Sequence, residues 1–323
     1  MSGTHPSVSV IMPCYNEEKF IEKSIESLID DYFLKNCEII VVDGMSEDKT
    51  RDIVNSFIKK GLPIRFFENK KKLQVHGLNL GLSKAKGEII VRADAHCLYP
   101  PGYLKKCVDL LKTKDALNVG GMMLPQGEKT VQKAIALALK HPVGVGDAKW
   151  HLGNYWGYAD TVYLGTLRKE LFKDIGPYDP KSSTNEDAEL NLRIIKSGGK
   201  VFLDSSIKVT YFPRESLREL AIQYFRYGRG RCYTTLKHRK LTSYRQIAPV
   251  LLVIALFFSI LFSFFQPLVL LFPLSYLCVV FLIALLSWPK QRISFRQRVL
   301  MGMGFLVMHT CWGIGFLSRL IFR

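Results

Sequence analysis

The sequence predicts an α/β protein built on a mostly parallel, doubly wound sheet and followed by a membrane-associated C-terminal region. Three observations carry this. Short apolar runs at 8–12, 38–42, 63–67 and 88–92, all but the third rich in Val and Ile, alternate with segments of helical apolar period, the pattern of strand–helix–strand units with right-handed crossovers. Polar or acidic residues follow most of these runs, and in open α/β sheets ligands bind beyond the strand ends. From Ala248 onward long apolar runs dominate, and after Glu219 the 323-residue chain has neither Asp nor Glu.

Val8 to Met12 reads as a buried strand, Pro13-Cys14-Tyr15-Asn16-Glu17-Glu18 as a loop, and Phe20, Ile21, Ile25, Leu28, Ile29 and Tyr32 as the inner face of a helix. Asn16 is expected to cap that helix, with Glu17 and Glu18 in its first turn, where the helix dipole favours acids. Glu38 to Val42 is a second strand ending in Asp43-Gly44, and Ser46-Glu47-Asp48 opens a helix with Ile53, Val54, Phe57 and Ile58 inward. Pro63 to Phe67 is a third strand, and Gln74 to Lys86 a helix with Leu78, Leu82 and Ala85 inward, closed by Gly87. The next strand, in G-E-I-I-V-R-A-D-A-H at 87–96, ends in Asp94 and His96. Period-two alternation places both on one face, where a carboxylate and an imidazole can share a divalent cation. In such a sheet Asn16, Asp43, Asn79 and Asp94 converge at one edge. Each also has a plain structural reading: a cap, a D-G turn, an exposed helix residue and a second turn.

Tyr103 to Leu111 reads as a helix, Asn118 to Met123 as a strand and Thr130 to His141 as an amphipathic helix. Pro142 to Tyr158, rich in Gly, Trp and Tyr without period, suits a wall around a sugar or nucleotide, and equally a packed loop. Val162 to Leu167 is a strand, and Lys169 to Ile175 a short helix stopped by Gly176-Pro177. Ser182 to Asp187 precedes a helix carrying Leu190, Leu192, Ile194 and Ile195; acids there are what any helix start prefers. If Asp187 faces the site, its carboxylate can take a proton from an attacking hydroxyl. Lys200 to Leu203 and Ile207 to Tyr211 are read as two further strands.

From Ser216 an amphipathic helix sets Leu217, Leu220, Ala221, Tyr224 and Phe225 against Arg218, Arg226, Arg229 and Arg231, a composition suited to a membrane interface and to holding phosphate. Three candidate spans follow, Ala248 to Phe265, Leu268 to Trp288 and Val299 to Phe322, the last with Gly302, Gly304, Gly313 and Gly315 that also suit helix packing or a re-entrant segment. The basic stretches Lys237–Arg245 and Lys290–Arg298 flank one side, which predicts a multi-pass inner- or plasma-membrane protein with a cytoplasmic N-terminal domain. The net charge of +17 then faces an anionic membrane; without a recognition motif, nucleic acid is not expected as a partner. Seven scattered cysteines without a C-x-x-C pair read as reduced small hydrophobes, and Met1 to Ser7 shows no signal peptide.

Taken together, P-C-Y-N-E-E at 13–18, V-V-D-G-M-S-E-D-K-T at 41–50, the run 77–90, D-A-H at 94–96, N-E-D at 185–187 and Q-Y-F-R-Y at 223–227 resemble a family 2 glycosyltransferase of the GT-A fold over roughly residues 8–230. A further similarity, resting on D-A-H and the later spans, is to membrane glycosyltransferases of the succinoglycan-biosynthesis type. The resemblance implies a Rossmann-like catalytic domain over 1–212, a basic juxtamembrane helix over 213–246 and two to three transmembrane helices over 247–323. It implies nucleotide-sugar binding by Pro13, Tyr15, Asn16, Glu17, Asp43, Asn79, Asp94, Glu186 and Arg226, with Asp43 on the uracil or ribose. It implies a divalent metal, Mn²⁺ or Mg²⁺, on Asp94 and His96, and Asp187 as catalytic base. Three positions depart from the family pattern. His96 replaces the second Asp of D-x-D, a change that favours Mn²⁺ over Mg²⁺; Asp43 stands alone where two acids are usual; and Tyr227 replaces the Trp of Q-x-x-R-W. The function implied is inverting, metal-dependent transfer from a nucleotide sugar, UDP-linked by resemblance, to a lipid-linked or polysaccharide acceptor. Alternatives are direct transfer to a polyprenyl phosphate, a non-catalytic nucleotide-sugar-binding membrane protein, and a processive synthase.

Overall fold

The computed structural model describes residues 6–241, 244–287 and 293–322. Met1–His5, Thr242, Ser243 and 288–292 therefore lie outside the described residues, including the expected span end at Trp288 and the Lys290–Arg292 part of the second basic stretch. The chain divides into two compact units, one of residues up to 124 with 153–211, the other of 125–152 with residues from 212 onward. The expected first domain, 1–212, thus differs by one stretch: 125–152 belongs with the C-terminal helices.

In chain order the elements are β1 (Val8–Cys14), α1 (Ile21–Leu28), α2 (Asp31–Asn36), β2 (Cys37–Asp43), α3 (Thr50–Lys59), β3 (Ile64–Glu68), α4 (Gln74–Lys84), β4 (Ile89–Arg92), β5 (Cys97–Leu98), α5 (Tyr103–Thr113) and β6 (Asn118–Pro125). Three helices, α6 (Thr130–Ala138), α7 (Pro142–Val145) and α8 (Lys149–Leu152), follow in the second unit. The chain returns to the sheet with β7 (Trp156–Tyr158), β8 (Tyr163–Arg168), α9 (Leu171–Ile175), α10 (Glu186–Lys196) and β9 (Val201–Tyr211). It ends with α11 (Leu217–His238), α12 (Ala248–Phe262), α13 (Leu271–Leu286) and α14 (Phe295–Ile321).

The nine strands form one sheet in the order β3-β2-β1-β4-β8-β6-β9-β5, with β7 on β9. β1 is buried along its whole length because β2 and β4 pair with it on both sides, Val8 opposite Cys37 and Ile89. Only β3, β2, β1 and β4 run parallel; β8 is antiparallel to β4 and β6, and β9 to β5 and β7. The sheet is therefore mixed, not mostly parallel. The strand–helix repeat that supplies parallel crossovers stops at β4, after which neighbouring strands reverse direction. A second correction concerns β9, one 11-residue strand where two were expected. Asp204, Ser205 and Ser206 are poor strand formers by composition, but Asp204 pairs with Trp156 and the Ser205 N–H donates to the Tyr155 carbonyl at 3.0 Å, so backbone hydrogen bonds carry the strand onward.

In the second unit the expected interfacial helix is not a lone surface helix. α11 buries Leu220, Gly228, Gly230, Cys232 and Thr234, and it meets α14 at backbone distance. A Cβ on Gly228 would lie 2.0 Å from the Trp312 carbonyl oxygen, and one on Gly315 would lie 2.1 Å from that of Phe225. Small residues let the helices close in this way, which assigns Gly315 to helix packing. Gly228→Ala is expected to cost about 1–3 kcal/mol by overpacking. Thermal unfolding of the detergent-purified full chain checks this, and an unchanged melting temperature rejects the close crossing.

Two helical stretches, Pro267–Leu286 and Phe295–Ile321, are long and apolar enough to cross a membrane, with mean hydropathies of 2.8 and 1.5. The first expected span falls short, since α12 has 15 residues where a crossing takes about 20. The expected third span lies within α14, the longest of these helices at 27 residues.

Candidate active site

The loops after β1 and β2 meet at the C-terminal edge of the parallel strands. Asn16 adopts a left-handed backbone (φ 53°), its N–H donating to Ser46 Oγ at 2.8 Å and its Oδ1 accepting from the Glu47 N–H at 2.9 Å. The Glu17 N–H donates to Thr50 Oγ1 at 2.8 Å, and the Glu18 N–H to Asp48 Oδ2 at 3.0 Å. These residues are not the cap and first turn of α1, which begins at Ile21 behind Phe20. They stitch the two loops together, a use the local pattern does not show because their partners lie some thirty positions away. Pro13 is buried near the end of β1, while Tyr15 is 44% exposed with Lys72 Nζ 5.8 Å from its ring centre. A flat exposed ring beside a cation is a surface on which a nucleobase can stack.

Asp43 is buried at the end of β2, where its Oδ2 accepts from the Ser46 N–H at 2.9 Å and its Oδ1 from the Ser46 hydroxyl. Its carboxylate shapes the 43–46 turn. Burial pushes the neighbouring Cys14 thiol well up from its ordinary value, with the Asp43 charge adding to it, so that thiol is an inert core group. Asn79 commits both ends of its amide to Tyr178, donating to its carbonyl at 2.7 Å and accepting from its N–H at 3.0 Å. It ties α4 to the 176–178 loop through both ends of its amide.

The strand β4 stops at Arg92, so Asp94 and His96 stand in the following loop and not on the strand face. Tyr99 clamps the Asp94 backbone, its hydroxyl accepting from the N–H at 2.8 Å and donating to the carbonyl at 3.0 Å, and Ser24 Oγ donates to the same carbonyl at 3.2 Å. The Asp94 carboxylate points at Arg92, Nη2 to Oδ1 3.3 Å, with Gln74 Nε2 at 3.4 Å. His96 Nδ1 lies 2.8 Å from Glu17 Oε1, and its ring packs edge-on against Tyr211.

Arg92 is the centre of this edge, and sequence reasoning passed over it. Its guanidinium touches Asp94, the Glu186 carboxylate at 3.0 Å and the Asp187 carboxylate. Glu186 and Asp187 arrive in the first turn of α10, behind Asn185 in a left-handed backbone (φ 60°). Burial opposes the charge on Arg92, but the carboxylates of Asp187, Asp94 and Glu186 outweigh it and hold Arg92 protonated well above its ordinary range. Burial pushes the Glu186 carboxyl up to about 7 against the pull of Arg92. Of the three acids only Asp187 reaches solvent appreciably, its side chain 29% exposed against 5% for Glu186 and 11% for Asp94. Behind them Glu189 holds Arg193, which donates to the carbonyls of Gly176 and Pro177 at 3.0 and 2.9 Å and braces the loop beside α10. An arginine within an apolar run was the available signal, since a charge buried in a sheet requires partners.

Among the described residues no three His, Cys, Asp or Glu side chains are grouped to hold a metal ion. Asp94 and His96 are the expected donors, and a cation on a nucleotide diphosphate takes only one or two protein ligands, completing its shell with phosphate oxygens and water. Three carboxylates against one guanidinium also leave an excess of negative charge that a divalent cation relieves. The donor set fits a cation brought in with the donor. Arg226 is carried by α11 in the second unit, where Gln223 Nε2 donates to Tyr227 Oη at 2.9 Å within the same motif.

A mixed sheet whose parallel strands bring these loops to one edge, with Glu186 and Asp187 supplied there by α10, is that of a glycosyltransferase of the GT-A fold. Residues 9–176 match Glycosyl transferase family 2, and the chain belongs to that family. It is 34% identical over 249 residues to the succinoglycan biosynthesis protein ExoA of Rhizobium meliloti, covering 76% of each chain. It is 29% identical to a dolichyl N-acetyl-α-D-glucosaminyl phosphate 3-β-D-2,3-diacetamido-2,3-dideoxy-β-D-glucuronosyltransferase of Methanococcus voltae, over 68% of this chain and 71% of the other. Among solved structures, the mannosyltransferase PcManGT of Pyrobaculum calidifontis, in complex with GDP-Man and Mn²⁺, superposes with a TM-score of 0.60 at 18% identity, over 98% of this chain and 88% of that one.

Proposed function

We propose that the chain is an inverting, metal-dependent glycosyltransferase that moves a sugar from a nucleotide sugar, UDP-linked by family resemblance, to a lipid-linked or glycan acceptor in exopolysaccharide or cell-surface glycan synthesis. The observation that carries this is Asp187, the most exposed acid of the Arg92 cluster. An acceptor hydroxyl that approaches Asp187 loses its proton to the carboxylate as its oxygen attacks the anomeric carbon, and the nucleoside diphosphate departs from the opposite face. One displacement inverts the configuration and forms no covalent enzyme intermediate. A divalent cation on Asp94 and His96 would offset the charge of the departing diphosphate. Tyr15 offers the stacking face for the base, while Asn16, Glu17 and Asp43 hold the loops that present it. A lipid-linked acceptor is supported by the two helices long enough to cross a membrane and by the name of the Methanococcus relative. The basic stretch Lys237–Arg245 directly before the apolar segments supports a multi-pass arrangement with the catalytic domain on the cytoplasmic side of an inner or plasma membrane.

The test is a transfer assay on membranes containing the protein, with labelled UDP-sugars, Mn²⁺ or Mg²⁺, and lipid extract as acceptor. Metal-dependent label in the lipid fraction, with the anomeric configuration inverted, is the expected result. A product that keeps the donor's configuration rejects the mechanism, and UDP binding without transfer to any acceptor rejects the enzyme.

A further inference from the structure

We propose that a basic cavity in the second unit, at the C-terminal ends of α11 and α14, binds the phosphate of a lipid. The cavity, of about 750 Å³, is lined by Tyr233, Thr235, Arg239, Lys240 and Leu241 from α11 and its exit, and by Arg319 from α14. Three cations face one concavity that no carboxylate lines among the described residues. Neither Asp nor Glu occurs beyond Glu219 to add an acidic side chain. Among the described residues Arg319 instead lies over the Tyr233 ring, 5.7 Å from its centre. Like charges gathered in this way repel one another and attract an anion from outside.

A second observation lies at the same wall. The Thr235 side chain lines the cavity, and its hydroxyl oxygen is buried without a hydrogen-bond partner among the described residues, one rotamer turn from the open space. Burying an unpaired hydroxyl is costly, and a phosphate oxygen accepting from it would remove that cost.

The rim decides what carries the phosphate. Leu241 is 44% exposed, and beside Arg319 the end of α14 exposes Leu320, Ile321 and Phe322 at 44%, 68% and 71%. Inorganic phosphate gains nothing from these surfaces, whereas an acyl or isoprenoid chain covers them. The ligand is therefore a phosphate ester with net negative charge and an apolar tail, which excludes the zwitterionic phosphatidylcholine. A phospholipid head group and a polyprenyl phosphate both have that chemistry. The site stands apart from the transfer reading, and its test contains no sugar donor.

The experiment measures binding to the full chain in detergent by native mass spectrometry. The probes are polyprenyl phosphate, phosphatidylglycerol, phosphatidylcholine and inorganic phosphate. One equivalent of a lipid phosphate should be retained in preference to phosphatidylcholine. Arg239→Ala and Arg319→Ala should each weaken it about fivefold and the pair ~25-fold, as expected for one cation each at a lipid surface. Thr235→Val, close in shape, should weaken it roughly threefold to tenfold through one lost hydrogen bond and covers the case in which an arginine variant misfolds. Stronger retention of polyprenyl phosphate identifies an acceptor-type lipid, stronger retention of phosphatidylglycerol a bilayer lipid, and either supports the site. Equal retention of phosphatidylcholine, displacement by inorganic phosphate at equal concentration, or unchanged affinity in Thr235→Val and the folded arginine variants overturns it.

Discussion

Arg92→Leu is expected to destabilise the first unit by about 3–5 kcal/mol and to abolish activity, the largest effect of any single substitution at the site. The wild-type guanidinium is 7% exposed and touches Asp94, Glu186 and Asp187. Placing a cation there is not a source of stability in itself, because desolvating four charged groups offsets most of their attraction. Removing the cation afterwards is different, since three carboxylates remain packed together with nothing to balance them. Glu186, already raised to about 7, is the acid that takes up a proton first. Arg92→Lys keeps the charge but not the planar fork that reaches several acids at once, so an intermediate loss is expected. Thermal unfolding of the metal-free full chain reads the effect, with a fall of roughly 10 °C or more for the leucine variant. A melting temperature equal to wild type shows that the cluster does not depend on Arg92.

Asp187→Asn should lower turnover by about 10²–10⁴ while leaving nucleotide binding close to wild type. The amide keeps the shape of the side chain and cannot accept the hydroxyl proton. Because the contact matters only as the acceptor ionises, the loss belongs in kcat and not in affinity for the donor. Turnover measured beside calorimetric UDP binding separates the two. Turnover within about threefold of wild type removes Asp187 from the base role, far outside the loss a general base implies. Loss of UDP binding instead would make Asp187 a donor-binding group.

Much of this site was legible before any coordinates. The strand–helix repeats placed β1 to β4, and the motifs at 13–18, 41–50, 94–96 and 185–187 marked the family. The roles of individual residues were less legible. Asn16 has the composition of a helix cap and works as a stitch between loops; Asn79 resembles a residue on the binding edge and is spent on Tyr178. In each case the deciding hydrogen bond joins positions about thirty or a hundred residues apart. Arg92 went unremarked for a related reason. Its neighbours in sequence identify a buried strand, and its partners at 186 and 187 come from a helix nearly a hundred residues later.

By itself the sequence determined the α/β class, the four parallel strands, the acidic motifs that mark a glycosyltransferase and the apolar C-terminal quarter. Those properties follow from periodicity and residue type within a few positions, which act through local backbone preference and burial. Only the tertiary structure decided that the later strands run antiparallel, that 125–152 joins the C-terminal helices, that α11 closes on α14 through glycine, and that one buried arginine gathers three acids. Each depends on which distant surfaces meet, and the free energy of that meeting is shared between segments, so neither segment carries it alone.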